Sequence, residues 1–143
     1  MDKIKQVAAT VRAALAGNPT LDWETTSMTA GEWLVEMREI FEEEGDTFPE
    51  LRFSDASVVM LSEAGDDAVE ILADPCGTFH VIAPYHMEND SEFNGMHAES
   101  LSEAQALAEL VVADGLPSGS FSFQDGGRAL DAINAFLALA DAV

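Results

Sequence analysis

The chain has 143 residues, of which 27 are Asp or Glu and only 6 are Lys or Arg, giving a formal net charge of −21. Its apolar fraction of 48% is typical of globular proteins, so the acidity does not indicate disorder, and the length suits a single domain spanning residues 1–143. Because phosphate binding needs clustered Lys and Arg, this composition argues against direct binding of nucleic acid.

Cysteine usage and hydropathy bear on the cellular compartment. A lone cysteine, Cys76, cannot form an internal disulfide framework and predicts a reducing, cytoplasmic location. The N-terminal segment has polar Gln6 and Thr10 within its apolar pattern, which is not the continuous apolar core of a signal peptide. No run reaches the ~18 apolar residues of a membrane span, so we expect no membrane partner.

The first predicted element is a helix that Asp2 caps and that ends at Gly17 and Pro19. It is the one segment with a net positive charge, +2 over residues 1–20. The simplest expectation is that it packs near the acidic helix that follows it. Its apolar residues follow the 3.6-residue period and are Ile4, Val7, Ala8, Val11, Ala14 and Leu15.

The stretch 29–46 holds a second predicted helix, which combines an apolar side with a row of carboxylates. Thr29 and Glu32 form a capping box, and Gly45 ends the helix. Eleven acids and two bases between residues 22 and 55 give a net charge of −9, the densest in the chain. The apolar side holds Trp33, Leu34, Met37, Ile40 and Phe41, and the carboxylates are Glu32, Glu36, Glu39, Glu42, Glu43 and Glu44.

The middle of the chain changes to short segments rich in β-branched and aromatic residues. Residues 56–62, 68–73 and 78–84 have this pattern, and the sequences between them are typical of turns. They predict a three-stranded antiparallel β-meander.

The last third of the chain returns to helical periodicity. Ser100 and Glu103 form a second capping box at the start of a helix. Residues 120–123 predict a short edge strand, and residues 128–142 predict a helix that is apolar nearly all round. The predicted fold is therefore α+β: two N-terminal helices, a three-stranded meander, a helix, a short edge strand and an apolar C-terminal helix.

Histidines and one loop are candidate ion ligands. Histidine, cysteine and carboxylate side chains are the types that bind zinc, but their spacing here fits no compact ligand pair, so we expect structural or surface roles. The loop at residues 90–95 resembles the first half of a calcium-binding loop, but Leu101 occupies the twelfth position, where that pattern requires Glu. The zinc-type residues are Cys76, His80, His86, Glu88, Asp90, Glu92 and His97.

One further pair could act in catalysis. Cys76 is a candidate nucleophile with His80 as its base. The local sequence Asp-Pro-Cys-Gly is typical of a turn, however, and has no cationic neighbour of the kind that activates a catalytic cysteine. We therefore predict no enzymatic activity, no metal and no cofactor, and an enzyme is the least supported class.

The acidic helix needs an explanation because its charges oppose helix formation. Each like-charge pair three or four residues apart costs ~0.2–0.5 kcal/mol. The last glutamates also lie at the negative end of the helix dipole. The arrangement costs roughly 1–2 kcal/mol against a total stability of about 5–15 kcal/mol, so partner binding is the better explanation. The predicted binding residues are Glu32, Glu36, Glu39, Glu42, Glu43 and Glu44, with Asp46 and Glu50 extending the surface.

The first functional hypothesis is a protein that imitates nucleic-acid charge. Carboxylates three and four apart on a helix are about 5–6 Å from each other, which is comparable to successive phosphates. The partner would then be a basic surface, the nucleic-acid-binding groove of another protein. Small acidic inhibitors of restriction or RNA-guided nucleases from phages and mobile elements, the anti-restriction and anti-CRISPR proteins, have this general composition. Predicted extensions of the charged surface are Glu63, Asp66, Asp67, Glu70 and Asp74.

Two alternatives stay open. Adaptation to a salt-rich cytoplasm predicts acids spread over all exposed surfaces. A dedicated chaperone or immunity-type partner of one basic protein requires an apolar groove beside the acids. In that case we expect a homodimer through the apolar C-terminal helix.

Overall fold

The computed structural model describes residues 2–26, 28–48, 50–51, 58–62, 69–83 and 92–143. These residues form four helices: α1 (Asp2–Leu15), α2 (Ala30–Glu43), α3 (Leu101–Val111) and α4 (Ala129–Asp141). The strands in the same ranges are β1 (Trp23–Thr25), β2 (Glu50–Leu51), β3 (Val58–Ser62), β4 (Val69–Ala73), β5 (Phe79–Ile82), β6 (Glu92–Phe93) and β7 (Met96–Ala98). The predicted α+β class is confirmed.

The predicted meander is the centre of a larger antiparallel sheet, ordered β1-β3-β4-β5-β7. β3, β4 and β5 pair in sequence as expected, while β1 and β7 add an edge on each side. Both added strands have only three residues, too few for an alternating pattern to be recognised. β2 and β6 form a separate parallel pair.

The edge strand predicted at residues 120–123 does not form. Phe121 and Phe123 are half-buried and pack against the core, while Ser122 between them is exposed. The alternation of Phe and Ser is therefore explained by packing of the two Phe side chains of an irregular segment against the core, and not by pairing in a sheet.

Helices cover both faces of the sheet. Val69 and Ile71 of β4 face a large core shared with α1, α3 and α4. Leu72, on the opposite face, belongs to a smaller core with Trp33 and Met37 of α2. Successive strand residues point to opposite faces, so Glu70 must lie on the α2 side.

α1 has the predicted buried stripe, but it does not pack beside α2. Its apolar residues join the large core, and its main helical neighbours are α3 and α4. The expectation that the positive segment lies beside the acidic helix was therefore wrong. Arg12 instead contacts Asp141 of α4, with 2.7 Å between Nη2 and Oδ1.

A buried carboxylate fixes the connection between α1 and β1. Glu109 of α3 is 5% exposed and accepts hydrogen bonds from the Thr20 amide (2.9 Å) and hydroxyl (2.7 Å). The Leu21 amide adds a third bond at 3.3 Å. Each donor compensates part of the cost of burying a charge, so this residue has a structural role.

α4 buries one side only. Ile133 and Phe136 lie fully within the large core, while Asn134, Ala135 and Leu139 are on exposed positions. The helix is therefore part of the core, and its outer side is mildly apolar. No helix in the described ranges has both the length and the hydropathy to cross a bilayer.

Candidate functional site

Aromatic packing sets the orientation of α2. The Thr29 hydroxyl caps the helix by accepting from the Glu32 amide at 3.2 Å, as the capping box predicts. Trp33 and Phe41 are buried against the sheet, and Phe48 packs edge-on to both rings, at centroid distances of 6.3 and 5.1 Å. These contacts hold one side of α2 on the sheet, which leaves the acidic side outward.

The outward side of α2 presents a continuous set of exposed carboxylates, which we call the acidic face: Glu32, Glu36, Glu39, Glu42 and Glu43. Glu44 and Asp46 follow it and are also exposed. None of these carboxylates takes part in an ion pair with another described residue. The one base on this helix is Arg38, whose Cζ atom lies 6.0 Å from the centroid of the Phe48 ring. Within the described ranges, the charges of the acidic face are therefore not neutralised by ion pairs.

Two aliphatic side chains adjoin the acidic face. Val35 is 57% exposed and Ile40 is 42% exposed. Ile40 was expected on the buried side, but it lies at the edge of the apolar stripe, where Met37 and Phe41 already fill the space against the sheet. The outer surface of α2 is thus acidic with apolar positions within it.

The predicted extension of the acidic face onto the meander is not supported where the structure describes it. Glu70 is only 8% exposed, because β4 is a central strand and α2 covers that side of it. The Asp74 carboxylate forms hydrogen bonds around the turn between β4 and β5. Glu63, Asp66 and Asp67 lie outside the described residues, as does the side chain of Glu50.

Glu70 occupies an unusual position beneath α2. Its Oε2 atom is buried and has no hydrogen-bond partner in the described part of the chain, and the same holds for Nε1 of Trp33. Burial raises the pKa of Glu70 to about 7; the Trp33 indole acts to lower this pKa, and repulsion from Glu36 acts to raise it. A glutamate within an otherwise apolar strand, Val-Glu-Ile-Leu, was the sequence signal for this site, since strands covered on both faces are near-continuously apolar.

Asp74 organises the turn between β4 and β5. Its Oδ1 atom accepts from the amides of Cys76 (2.9 Å) and Thr78 (3.0 Å), and its Oδ2 atom lies 3.0 Å from Nε2 of His80. Desolvation acts to raise the pKa of Asp74, but the hydrogen bonds from His80, Thr78 and Cys76 outweigh it and hold that pKa below its usual value. Cys76 is exposed in this turn, as predicted, and His80 faces a carboxylate.

The zinc-type residues do not converge where they are described. His80 and His97 are register partners on β5 and β7. Among the described residues there is no group of three or more His, Cys, Asp or Glu side chains placed to hold a metal ion. His86, Glu88 and Asp90 lie outside those residues.

The loop that resembles a calcium site has a structural role at its described end. The Asn94 and Gly95 amides donate to Oδ1 of Asp125, at 2.6 and 3.0 Å. The Gly126 amide donates to the Gly95 carbonyl at 2.6 Å. Together these bonds tie β7 to the segment that leads into α4.

The described surface also has a shallow groove beside α4. Its volume is about 450 Å³, and its walls include Phe121, Phe136 and Leu139. Asp131 is the one ionisable side chain among its described lining residues.

Comparisons with protein-family models, with curated proteins and with solved structures gave no match to this chain.

Proposed function

We propose that this chain is a non-enzymatic interaction protein whose acidic face binds a basic nucleic-acid-binding groove and competes with nucleic acid for it. The observation that supports this proposal is the acidic face itself: five exposed glutamates on one helix without ion-pair partners among the described residues. The opposite side of the same helix is fixed by aromatic packing, so the charges are held in place before binding.

The proposed activity is inhibition of a DNA- or RNA-processing protein, of the anti-restriction or anti-CRISPR type. Cationic grooves attract such a surface over long range, which speeds association and makes it sensitive to salt. A cytoplasmic location follows from the same proposal, because its targets act on intracellular DNA or RNA.

Charge reversal on the acidic face tests this proposal. We expect Glu32→Lys, Glu39→Lys and Glu43→Lys together to weaken inhibition of the target by roughly 100-fold at ~0.1 M salt. These three positions leave Glu36, which interacts with buried Glu70, unchanged. The measurement is the concentration that half-inhibits DNA cleavage by a restriction endonuclease and by an RNA-guided nuclease.

A second triple variant provides the control. Asp22→Lys, Glu24→Lys and Asp114→Lys change exposed acids elsewhere and alter the net charge by the same amount. This variant should inhibit nearly as well as the unaltered protein. If the unaltered protein inhibits neither nuclease class, the proposed activity is contradicted. If the two triple variants lose inhibition equally, the inhibitory surface is not on α2, and the loss is a general effect of charge, as salt adaptation implies.

Exposed aliphatic residues favour a second candidate, an acidic chaperone or immunity-type partner of one basic protein. Val35 and Ile40 offer apolar contact beside the charges, which a phosphate mimic does not need. We expect Val35→Ser with Ile40→Ser to weaken binding about 10-fold if the partner buries them, and to leave charge mimicry nearly unchanged. Isothermal titration against a partner captured from lysate at low salt distinguishes these results. Val143→Ser is the matched aliphatic control, because Val143 is 38% exposed and lies beyond the end of α4.

The outer side of α4 bears on the oligomeric state. If a homodimer accompanies the second candidate, this side is its proposed interface. Leu139 is 36% exposed there and Ala135 and Ala138 are also exposed, so two copies could approach closely.

A further inference from the structure

We propose that the packing of α2 against the sheet depends on pH. Loss of the Glu70 proton shifts the equilibrium toward a state in which α2 has separated from the sheet. The proposal concerns the isolated protein and does not require the proposed function. Any consequence for partner binding does rest on that function, because α2 carries the acidic face.

The position of Glu70 is the first reason. Its carboxylate is buried between β4 and α2; Oε2 is inaccessible and has no hydrogen-bond partner among the described residues, and the Trp33 indole is the donor group beside the carboxylate. A buried charge with so little donor support is strongly disfavoured, whereas a protonated carboxyl is tolerated there. Glu109 on the other side of the sheet, with three donor groups, shows what a buried carboxylate needs when it is fully supported.

The surroundings of Glu70 supply no compensating cation in the described ranges. α2 contributes Trp33 and the like-charged Glu36. β3 places Leu61 directly opposite, and β5 places Ile82 opposite. His80 lies two residues before Ile82 on the same face, but its ring nitrogen contacts Asp74. Ionised Glu70 can therefore gain stabilisation mainly by reaching water.

Movement of α2 away from the sheet would allow water to reach Glu70. The strands around Glu70 are joined to each other by backbone hydrogen bonds. Within the described residues no backbone hydrogen bond joins α2 to the sheet, and the helix is held by apolar packing of Trp33, Met37 and Phe41, with the Trp33 indole beside Glu70. Separation of the helix from the sheet hydrates the carboxylate without breaking the sheet.

The direction of the response follows from the two protonation states. The pKa of Glu70 is about 7 when α2 is seated and near its ordinary value of 4.5 when the residue is exposed. The opening equilibrium therefore rises as pH increases from 4.5 to 7 and levels off above 7. Between pH 5 and pH 8 the increase is roughly 50- to 100-fold.

Amide hydrogen exchange tests the proposal directly. At each pH, exchange in α2 is compared between the unaltered protein and Glu70→Gln, which cannot ionise, so the intrinsic pH dependence of exchange cancels. We expect the ratio of the two α2 rates to rise roughly 50- to 100-fold from pH 5 to pH 8, while α2 amides exchange faster than the slowest amides of α1, α3 and α4, which exchange only through global unfolding. A constant ratio, or α2 exchange no faster than that of those slowest amides, overturns the proposal.

A second pair of variants keeps the test independent of how well Glu70→Gln folds. Glu36→Gln removes the nearby repulsion and should reduce the rise in α2 exchange. Glu32→Gln removes the same charge from a fully outward position and should leave the rise unchanged. Identical behaviour of these two variants would contradict the role given to Glu36 and Glu70. These experiments use no partner, so their failure is distinguishable from failure of the proposed function.

Discussion

Gly95→Ala is expected to destabilise the protein by about 3–4 kcal/mol, a large part of a typical total of 5–15 kcal/mol. Gly95 has a φ of +67°, which costs an L-residue roughly 1–2 kcal/mol. An added Cβ would also lie 2.5 Å from the Val81 carbonyl oxygen and 2.7 Å from Cδ1 of Ile82. Both neighbours belong to β5, so the clash pushes β7 away from the sheet.

Thermal unfolding followed by circular dichroism measures this effect. A loss of about 3–4 kcal/mol lowers the melting temperature of a chain of this size by roughly 10–15 °C. Gly119→Ala is the matched control, because Gly119 has a φ of +86° but no atom within 4 Å of the added Cβ. Equal losses in the two variants would show that backbone strain alone matters and that the contact with β5 does not.

Glu70→Gln is expected to become progressively more stabilising, relative to the unaltered protein, as pH rises from 4.5 to 7. The folded-state pKa of Glu70 is about 7 and its unfolded value is 4.5, so the folded protein retains a proton that the unfolded chain releases. Stability is therefore lost as pH rises through this interval. The shift corresponds to on the order of 3 kcal/mol at neutral pH and above.

Urea unfolding at several pH values between 4.5 and 8 measures this difference. The amide of Gln is also buried, but its cost is the same at every pH, so the change with pH reports the ionisation of Glu70. Repulsion among the surface acids also varies with pH, and it is common to both proteins. If the stability difference stays constant across this range, Glu70 does not titrate as the buried geometry requires.

Local patterns predicted the helices well: α1, α2 and α3 each have a one-sided apolar pattern or a capping box, and α4 is a long, nearly uninterrupted apolar segment. Thr29 and Ser100 both accept the hydrogen bond that their capping boxes predict. The central strands were also predicted, within a few residues at each end. β1 and β7 were not predicted, because three residues are too few for an alternating pattern to be recognised. The strand predicted at residues 120–123 was wrong, because an irregular segment that packs on a core can have the same alternation of Phe and Ser.

The candidate site also has one part that local sequence predicts and one part that it does not. The exposure of Glu32, Glu39 and Glu43 followed from helical spacing relative to the apolar stripe, a local property. The burial of Glu70 could not follow from spacing alone, since a strand with one solvent-exposed face would place a glutamate outside. It depends on the position of β4 in the centre of the sheet and on α2 as a cover.

Composition gives the charge of the chain, and local sequence predicts the acidic helix and the side of that helix which faces outward. The helix and its outward side depend on residues within one or two helical turns of each other. Two other features became visible only in the folded molecule: α1 lies on the other side of the sheet from α2, and a glutamate is enclosed between α2 and β4. Contacts between segments distant in the chain have no periodic signal, because their partners are brought together by packing of the sheet and its two helical layers.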